Sequence, residues 1–346
     1  MNKTVKCLVW DLDNTLWDGT LLESGSCRLR YCVGSVLREL DRRGVLLSIA
    51  SANHEDLAIS LLRQKGIHRL FLHPQINWVN KVRSLQVIAD KLNISTDSLG
   101  FIDDEPFELA QVQQLLPGVH TYHASEYRLL PDRQELKPDP VTSESSRRRR
   151  MYIQEAKRVQ AEKTSGKSRR EFLKWCNCRI TLRRSHEDDL PRILELMRRT
   201  SQMNATGVIY TAGQIKTFLK NQEYRVFVAE LRDRFVDHGK IGVAVCRCEM
   251  MKWHLRSFQI SCRVTTRGIA GVFLSWLQLQ ASRSGAAQFE ALYKARERNQ
   301  RMNMLYRLSG FRQIGTKEDG CVVFGKKCEP WFNLPGWLTL YEEPSS

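Results

Sequence analysis

The stretch V-W-D-L-D-N-T-L-W-D-G (9–19) sets two carboxylates, Asp11 and Asp13, directly after the apolar run Cys7–Trp10. A short apolar run of this kind suits a buried strand. Two carboxylates held close repel, and one is driven toward protonation unless a cation joins them. A hard ion such as Mg²⁺ takes oxygen ligands, so the pair points to a metal-assisted site at the carboxyl end of a strand. The bland reading is a strand followed by an acidic turn. Other segment ends weigh against it. Ser51 lies at the end of V-L-L-S-I-A-S-A, Asp103 and Asp104 close L-G-F-I-D-D, and Lys81 opens a helical stretch before the latter.

These groups meet only if the chain carries them to one rim. The first 130 residues alternate strands near 5–10, 45–52 and 99–104 with helices near 33–43, 55–65, 80–92 and 106–115. That alternation predicts an α/β fold, a parallel sheet with helices on both faces. Such sheets bind ligands at the carboxyl ends of their strands. Residues 131–146, rich in Pro and Ser, read as a linker, and 147–174, opening on R-R-R-R, as a basic helix. Its charge run is either a solvated face or a docking surface for an acidic partner. Beyond 179, R-I-T-L-R-R, Y-R-V-F-V-A-E-L, K-I-G-V-A-V-C-R-C and W-H-L-R-S-F-Q-I-S-C-R-V read as strands. D-L-P-R-I-L-E-L-M-R-R-T and G-I-A-G-V-F-L-S-W-L-Q-L-Q-A read as helices, an α+β order.

The 346 residues suffice for two domains with full cores. Hydrophobic residues at 42% and charged ones at 27% describe a soluble globular chain. No apolar run approaches the roughly 20 residues that cross a bilayer, so no membrane association is expected. M-N-K-T-V-K leads into too few apolar residues for a signal peptide, and a cytoplasmic location is the default expectation. The net charge of +16 is uneven: residues 1–130 carry −1 and residues 131–346 carry +17. That field favours nucleic acid, anionic phosphates or acidic carrier proteins. Nucleic acid ranks last, because R-R-R-R lacks the interleaved aromatics that stack bases. The ten cysteines lack zinc-finger spacing and read as thiols.

Asp11-Leu-Asp13-Asn14-Thr15, Ser51, Lys81 and Asp103-Asp104 resemble, in order, the four motifs of haloacid-dehalogenase-like (HAD) phosphohydrolases. V-W-D-L-D-N-T-L-W-D-G, S-I-A-S-A-N, I-N-W-x-x-K and G-F-I-D-D-E-P-F-E are similar to the FkbH-like family, subfamily IIIC, with Glu105 where Asn is expected. The resemblance implies a Rossmann-like sheet in which Asp11 attacks a phosphoryl group. Asp13 would serve as general acid and then general base. Ser51 and Lys81 would bind phosphate, and Mg²⁺ would be held by Asp11, Asp13, Asp103 and Asp104. Which of Asp103 and Asp104 is the direct ligand stays open. A carboxylate can act as a covalent nucleophile, and neutralising the transferring group is what phosphoryl transfer needs.

In the second half, I-S-C-R-V (260–264) leads through T-T-R-G into a long helix, a turn that resembles the acetyltransferases of the GNAT type. T-T-R-G-I-A lacks their usual first residue, and K-A-R-E-R-N-Q (294–300) is an altered family block. R-T-S-Q-M-N-A-T, D-R-F-V-D-H-G and F-Q-I-S-C-R-V-T-T-R-G extend the FkbH-like resemblance to about residues 3–315. It implies an α+β GNAT-like domain and Cys262 as acyl acceptor. Asn204, Asp233, His238 and Arg263 are second-site candidates. Periodicity alone reads Cys262 as a small core thiol and His238 as a turn residue. It also places Cys262 and Arg263 on opposite faces of a strand.

The expected organisation is a HAD-like phosphatase domain at 1–130, linker and basic helix at 131–178, a GNAT-like domain at 179–328 and a tail at 329–346. The expected activity is transfer of a glyceryl unit from D-1,3-bisphosphoglycerate, with loss of phosphate, to a phosphopantetheinylated acyl carrier protein of a polyketide pathway. The alternatives are a HAD phosphatase with a different acyl-phosphate donor, and a carrier-docking module with a silent transferase site.

Overall fold

The structure, a computed structural model, describes residues 4–138 and 140–342. The first three residues of the 1–130 span, Asp139 of the linker and the last four residues of the tail lie outside the described residues. The chain forms two compact units, 1–153 and 154–346.

The first unit is built on five parallel strands: β1 (Cys7–Trp10), β2 (Leu46–Ser51), β3 (Gln75–Ile76), β4 (Leu99–Asp103) and β5 (His120–His123). Their order is β3-β2-β1-β4-β5. β1 and β2 are buried along their whole length, as expected for central parallel strands covered on both faces. Helices α1 (Val33–Arg42), α2 (Glu55–Gln64), α3 (Lys81–Leu92) and α4 (Pro106–Leu115) supply the cover. One apolar layer gathers Leu8, Trp10, Leu37 and Leu40, and the other gathers Cys7, Val9, Leu85 and Ile88, so successive residues of β1 feed opposite layers. The starts of two helices next to the site are fixed locally. Asn80 caps α3 by accepting from Arg83 N at 2.8 Å, and Pro106 takes the first turn of α4 behind Glu105, whose carboxylate accepts from Phe107 N.

The segment 131–146 is not a free linker. Val5 N donates to Glu135 O, Leu136 is buried, and Ser145 and Glu144 are buried too. Gly44 turns at φ +78, and a side chain there would meet Ser145 O at 2.6 Å. The arginine run is split in its roles. Arg148 is buried and donates to Gly44 O at 2.7 Å, and Arg149 forks onto Asp41 at 2.8 and 3.0 Å. Only Arg147 and Arg150 are exposed. The basic stretch is also broken into α5 (Arg148–Thr164) and α6 (Arg169–Trp175), with Ser168 and Glu171 closing a capping box at the break.

The second unit holds an eight-stranded sheet. Its strands are β6 (Cys178–Arg184), β7 (Tyr224–Arg232), β8 (Asp237–Cys248), β9 (Lys252–Ile260), β10 (Gln288–Tyr293), β11 (Arg312–Thr316), β12 (Val322–Lys327) and β13 (Leu338–Glu342). The order is β11-β12-β10-β9-β8-β7-β6-β13. Two pairs, β9 with β10 and β13 with β6, are parallel. The tail thus completes one edge of the sheet. α7 (Leu190–Arg199) packs on one face through Ile193 and Met197, joined there by α8 (Ala212–Lys220) through Ile215, and α9 (Ile269–Arg283) packs on the other through Phe273 and Leu277.

β9 ends at Ile260, and Cys262–Arg267 form a 3₁₀ turn ahead of α9. The expected strand through Val264 is therefore too long. Ser261 N still bonds Ile241 O, but beyond it the chain winds up to Gly268 at φ +70, a conformation glycine takes without strain. His238 likewise lies on β8 rather than in a turn, and it is fully buried.

Candidate active site

Strand ends gather the first group. Asp11 follows β1, Ser51 closes β2, Asp103 closes β4 and Lys81 opens α3. All four are buried. Lys81 Nζ donates to Asp11 Oδ1 at 2.5 Å and to Asp103 Oδ2 at 2.7 Å. The Ser51 hydroxyl lies close enough to the Asp11 carboxylate to favour its charged form. Burial pushes the Asp11 carboxyl up to about 7, Lys81 opposing and Asp103 adding to the shift. Burial raises Asp103 as well, against the pull of Lys81.

Asp11, Asp103 and Asp104 each bring a carboxylate oxygen within 4.8 Å of the others. The donor set is all oxygen and anionic, and Lys81 cancels only one of its charges. It fits a hard divalent cation such as Mg²⁺. Asp104 is held by Thr15, whose Oγ1 donates to its Oδ1 at 3.2 Å. Asn14 makes that reach possible by turning the chain at φ 49.

Asp13 is placed differently. Its carboxylate is outside the three-residue cluster and accepts three N–H groups: Trp17 Nε1 at 2.7 Å, Leu21 N at 3.1 Å and Asn53 Nδ2 at 3.0 Å. The side chain is thus fixed by three donors, and its oxygens lie outside the Asp11–Asp103–Asp104 cluster. Asn53 and Trp17 escaped the sequence reading. Asn53 lies two residues past Ser51, and only the fold shows that it turns to Asp13.

The second group is less open. Cys262 starts the 3₁₀ turn, half-buried and packed against the core under α9. Arg263 Nε donates to Ser261 Oγ at 3.2 Å. Asp233 and His238 come together with Arg267, a buried residue whose Nη1 donates to Asp233 Oδ2 at 2.5 Å and to His238 Nε2 at 2.9 Å. Its Nη2 reaches Glu155. Arg267 has no acceptor capacity, so His238 Nε2 accepts from it, and Asp233 Oδ2 lies 3.4 Å from the same nitrogen. Burial holds His238 below its ordinary value, with the Arg267 and Arg263 charges adding and Asp233 opposing.

Asn204 belongs to another cluster. Its Oδ1 accepts from Thr206 N and Gly207 N, and its carbonyl accepts from Asn299 Nδ2 at 3.0 Å. Asn204 also pairs as an isolated bridge with Gln259. The four second-site candidates therefore do not form one constellation.

No protein-family model matches the chain, and no curated protein matches it. Among solved structures it is similar to the N-terminal part of the protein BF1531 from Bacteroides fragilis, containing a phosphatase domain complexed with Mg. The identity is 29% over 36% of this chain and 38% of that one, with a TM-score of 0.32. It is also similar to the ribosomal-protein-S18-alanine N-acetyltransferase from Escherichia coli, at 15% identity over 43% of this chain and 94% of that one, TM-score 0.34. An acetyltransferase of the GNAT family from Streptococcus pneumoniae aligns at 18% identity over 43% of this chain and 99% of that one, TM-score 0.35. The chain spans 38% of the length of the first of these structures. At such scores the likenesses decide nothing about activity, which must be read from the side chains.

The first group offers a buried carboxylate, a cation site, an ammonium and a positioned second carboxylate. Together these can accept, bind and release a phosphoryl group.

Proposed function

We propose that the chain is a Mg²⁺-dependent glyceryltransferase and phosphatase, taking a glyceryl unit from D-1,3-bisphosphoglycerate to an acyl carrier protein. The observation that carries the reading is the Asp11–Lys81–Asp103–Asp104 cluster, with Asp13 held beside it. When bound, Mg²⁺ supplies charge neutralisation at the phosphoryl oxygens. The Cys262 thiolate displaces the acyl phosphate at C1: an S–C bond forms, the C–O bond to phosphate breaks, and inorganic phosphate leaves. The remaining phosphate monoester goes to the first unit. Asp11 attacks phosphorus, the bond to the glyceryl oxygen breaks, and Asp13 protonates that oxygen. Asp13 then takes a proton from the water that cleaves the aspartyl-phosphate. Lys81 and Ser51 hold the phosphoryl oxygens throughout. The thioester passes to the carrier thiol with no net change in charge. The +17 half of the chain is complementary to an acidic carrier.

Phosphate release from D-1,3-bisphosphoglycerate, corrected for spontaneous hydrolysis, tests the phosphatase step of this reading. Wild type with Mg²⁺ should release a second phosphate per substrate, and Asp11→Asn should lose that release by roughly 10³-fold or more. Equal release by both proteins contradicts it.

A second reading, a phosphatase with a silent transferase site, is favoured by one observation: Cys262 packs on the core and Arg267 beside it is committed to Asp233 and Glu155.

A further inference from the structure

Cys262 opens a six-residue 3₁₀ turn, Cys262–Arg267, between the end of β9 and the start of α9. The upstream end of the turn is tied by backbone: Ser261 N donates to Ile241 O at 2.7 Å, and Val264 N to Ser261 O at 3.2 Å. The downstream end is tied by a side chain. Arg267 is buried, and its guanidinium reaches two parts of the second unit at once. Nη1 takes Asp233, just past β7, at 2.5 Å and His238, on β8, at 2.9 Å. Nη2 takes Glu155 of α5, which Arg158 holds in turn at 2.9 and 3.0 Å. Within the turn, Thr265 Oγ1 donates to Cys262 O at 3.0 Å, so a shift at the downstream end is passed back to the cysteine. A planar fork can meet two carboxylates from different elements together, and a compact ammonium cannot copy that.

We infer that Arg267, braced by Asp233 and Glu155, is a positioning residue that holds the Cys262 turn in the shape acyl transfer needs. The inference rests on the proposed function for the role of Cys262. Arg267 acts through the turn and not by contact with the acyl group. In the native turn the thiol is half-buried and packed on the core. Loss of the fork frees the turn to open locally. The thiol then meets solvent more often, and meets the acyl phosphate in a productive geometry less often. General reactivity and transfer therefore move in opposite directions. A guanidinium that activated the thiol by its charge would move the two together.

The test is iodoacetamide labelling of the full native chain, read cysteine by cysteine from peptide masses, in wild type, Arg267→Lys, Glu155→Ala and Glu155→Gln. Arg267→Lys keeps the charge and loses the fork. Cys262 should label roughly tenfold faster or more in Arg267→Lys and Glu155→Ala. Glu155→Gln, which keeps an acceptor for Nη2, should stay nearer wild type. Cys246, buried in the same unit, should remain protected, and Cys32, exposed in the first unit, should label as in wild type. Glyceryl adduct formation on Cys262 should fall by roughly 10²-fold in Arg267→Lys and Glu155→Ala. Unchanged Cys262 labelling overturns the inference. So does opening of Cys246 together with Cys262, which would make Arg267 a support of the whole core. So does a fall in both labelling and transfer, which would make Arg267 an electrostatic activator. The expected labelling pattern without any glyceryl adduct on wild type contradicts the proposed function only. An adduct formed equally by wild type and the variants contradicts this inference only.

Discussion

Lys81 Nζ stands 2.5 Å from Asp11 Oδ1, in the interior of the first unit, and continues to Asp103 Oδ2 at 2.7 Å. One ammonium therefore serves two buried carboxylates, with Asp104 close by. The charge that remains is negative and concentrated, which is the condition for drawing in a divalent cation.

Metal binding should therefore show as stability before any turnover is measured. Mg²⁺ at 100 times its Kd should add about 2.7 kcal/mol to wild type, read as a rise in the unfolding temperature. Asp104→Asn should shrink that rise at equal Mg²⁺. An unfolding temperature indifferent to Mg²⁺ would contradict the cation site.

Removing the ammonium strands the two carboxylates. Lys81→Met should cost about 3–5 kcal/mol in urea unfolding, the usual penalty for breaking a buried ion pair. The prediction fails if the variant unfolds at the wild-type urea concentration.

Asn53 acts through Asp13, which it holds at 3.0 Å. Asn53→Ala should lower kcat for phosphate release by about 10–100-fold with little change in KM, as expected for support of a group needed in the transition state. A change confined to KM would assign Asn53 to substrate binding instead.

Asp189 contributes to the acid sensitivity of the second unit. Burial would raise its carboxyl, but Arg183, forked onto it at 2.7 and 2.9 Å, and His186 N outweigh burial and hold it at about 2. A depressed carboxyl stabilises the fold above its unfolded value, near 3.9, and loses that contribution as pH falls through the folded one. The contribution is about 2 kcal/mol. Unfolding free energy measured from pH 5 down to pH 2 should fall less steeply in Asp189→Asn than in wild type. Parallel curves would contradict the assignment.

The α/β class and the strand-end position of the first site were legible because each signal was local. The run 99–103 ends in acids, Pro106 starts a helix, and Gly66 turns at φ +72 after α2. What was not legible depended on long-range partners. S-C-R-V alternates apolar and polar residues as a strand does, yet the chain leaves the sheet after Ile260. Arg148 reads as part of a solvated run until Gly44 O appears beside it. His238 sits in a D-H-G string typical of turns, but Arg267, distant in sequence, buries it. Asp13 matched a metal-site motif, and only its three N–H donors show that its carboxylate is engaged elsewhere.

Two-step transfer through Cys262 is tested directly by intact-protein mass spectrometry. Wild type and Cys262→Ala would each be incubated with Mg²⁺, D-1,3-bisphosphoglycerate and a phosphopantetheinylated carrier. A glyceryl adduct should appear first on wild type and then on the carrier, and on neither protein with the variant. Phosphate release with no adduct on wild type or carrier would contradict it and leave a phosphatase joined to a silent second unit.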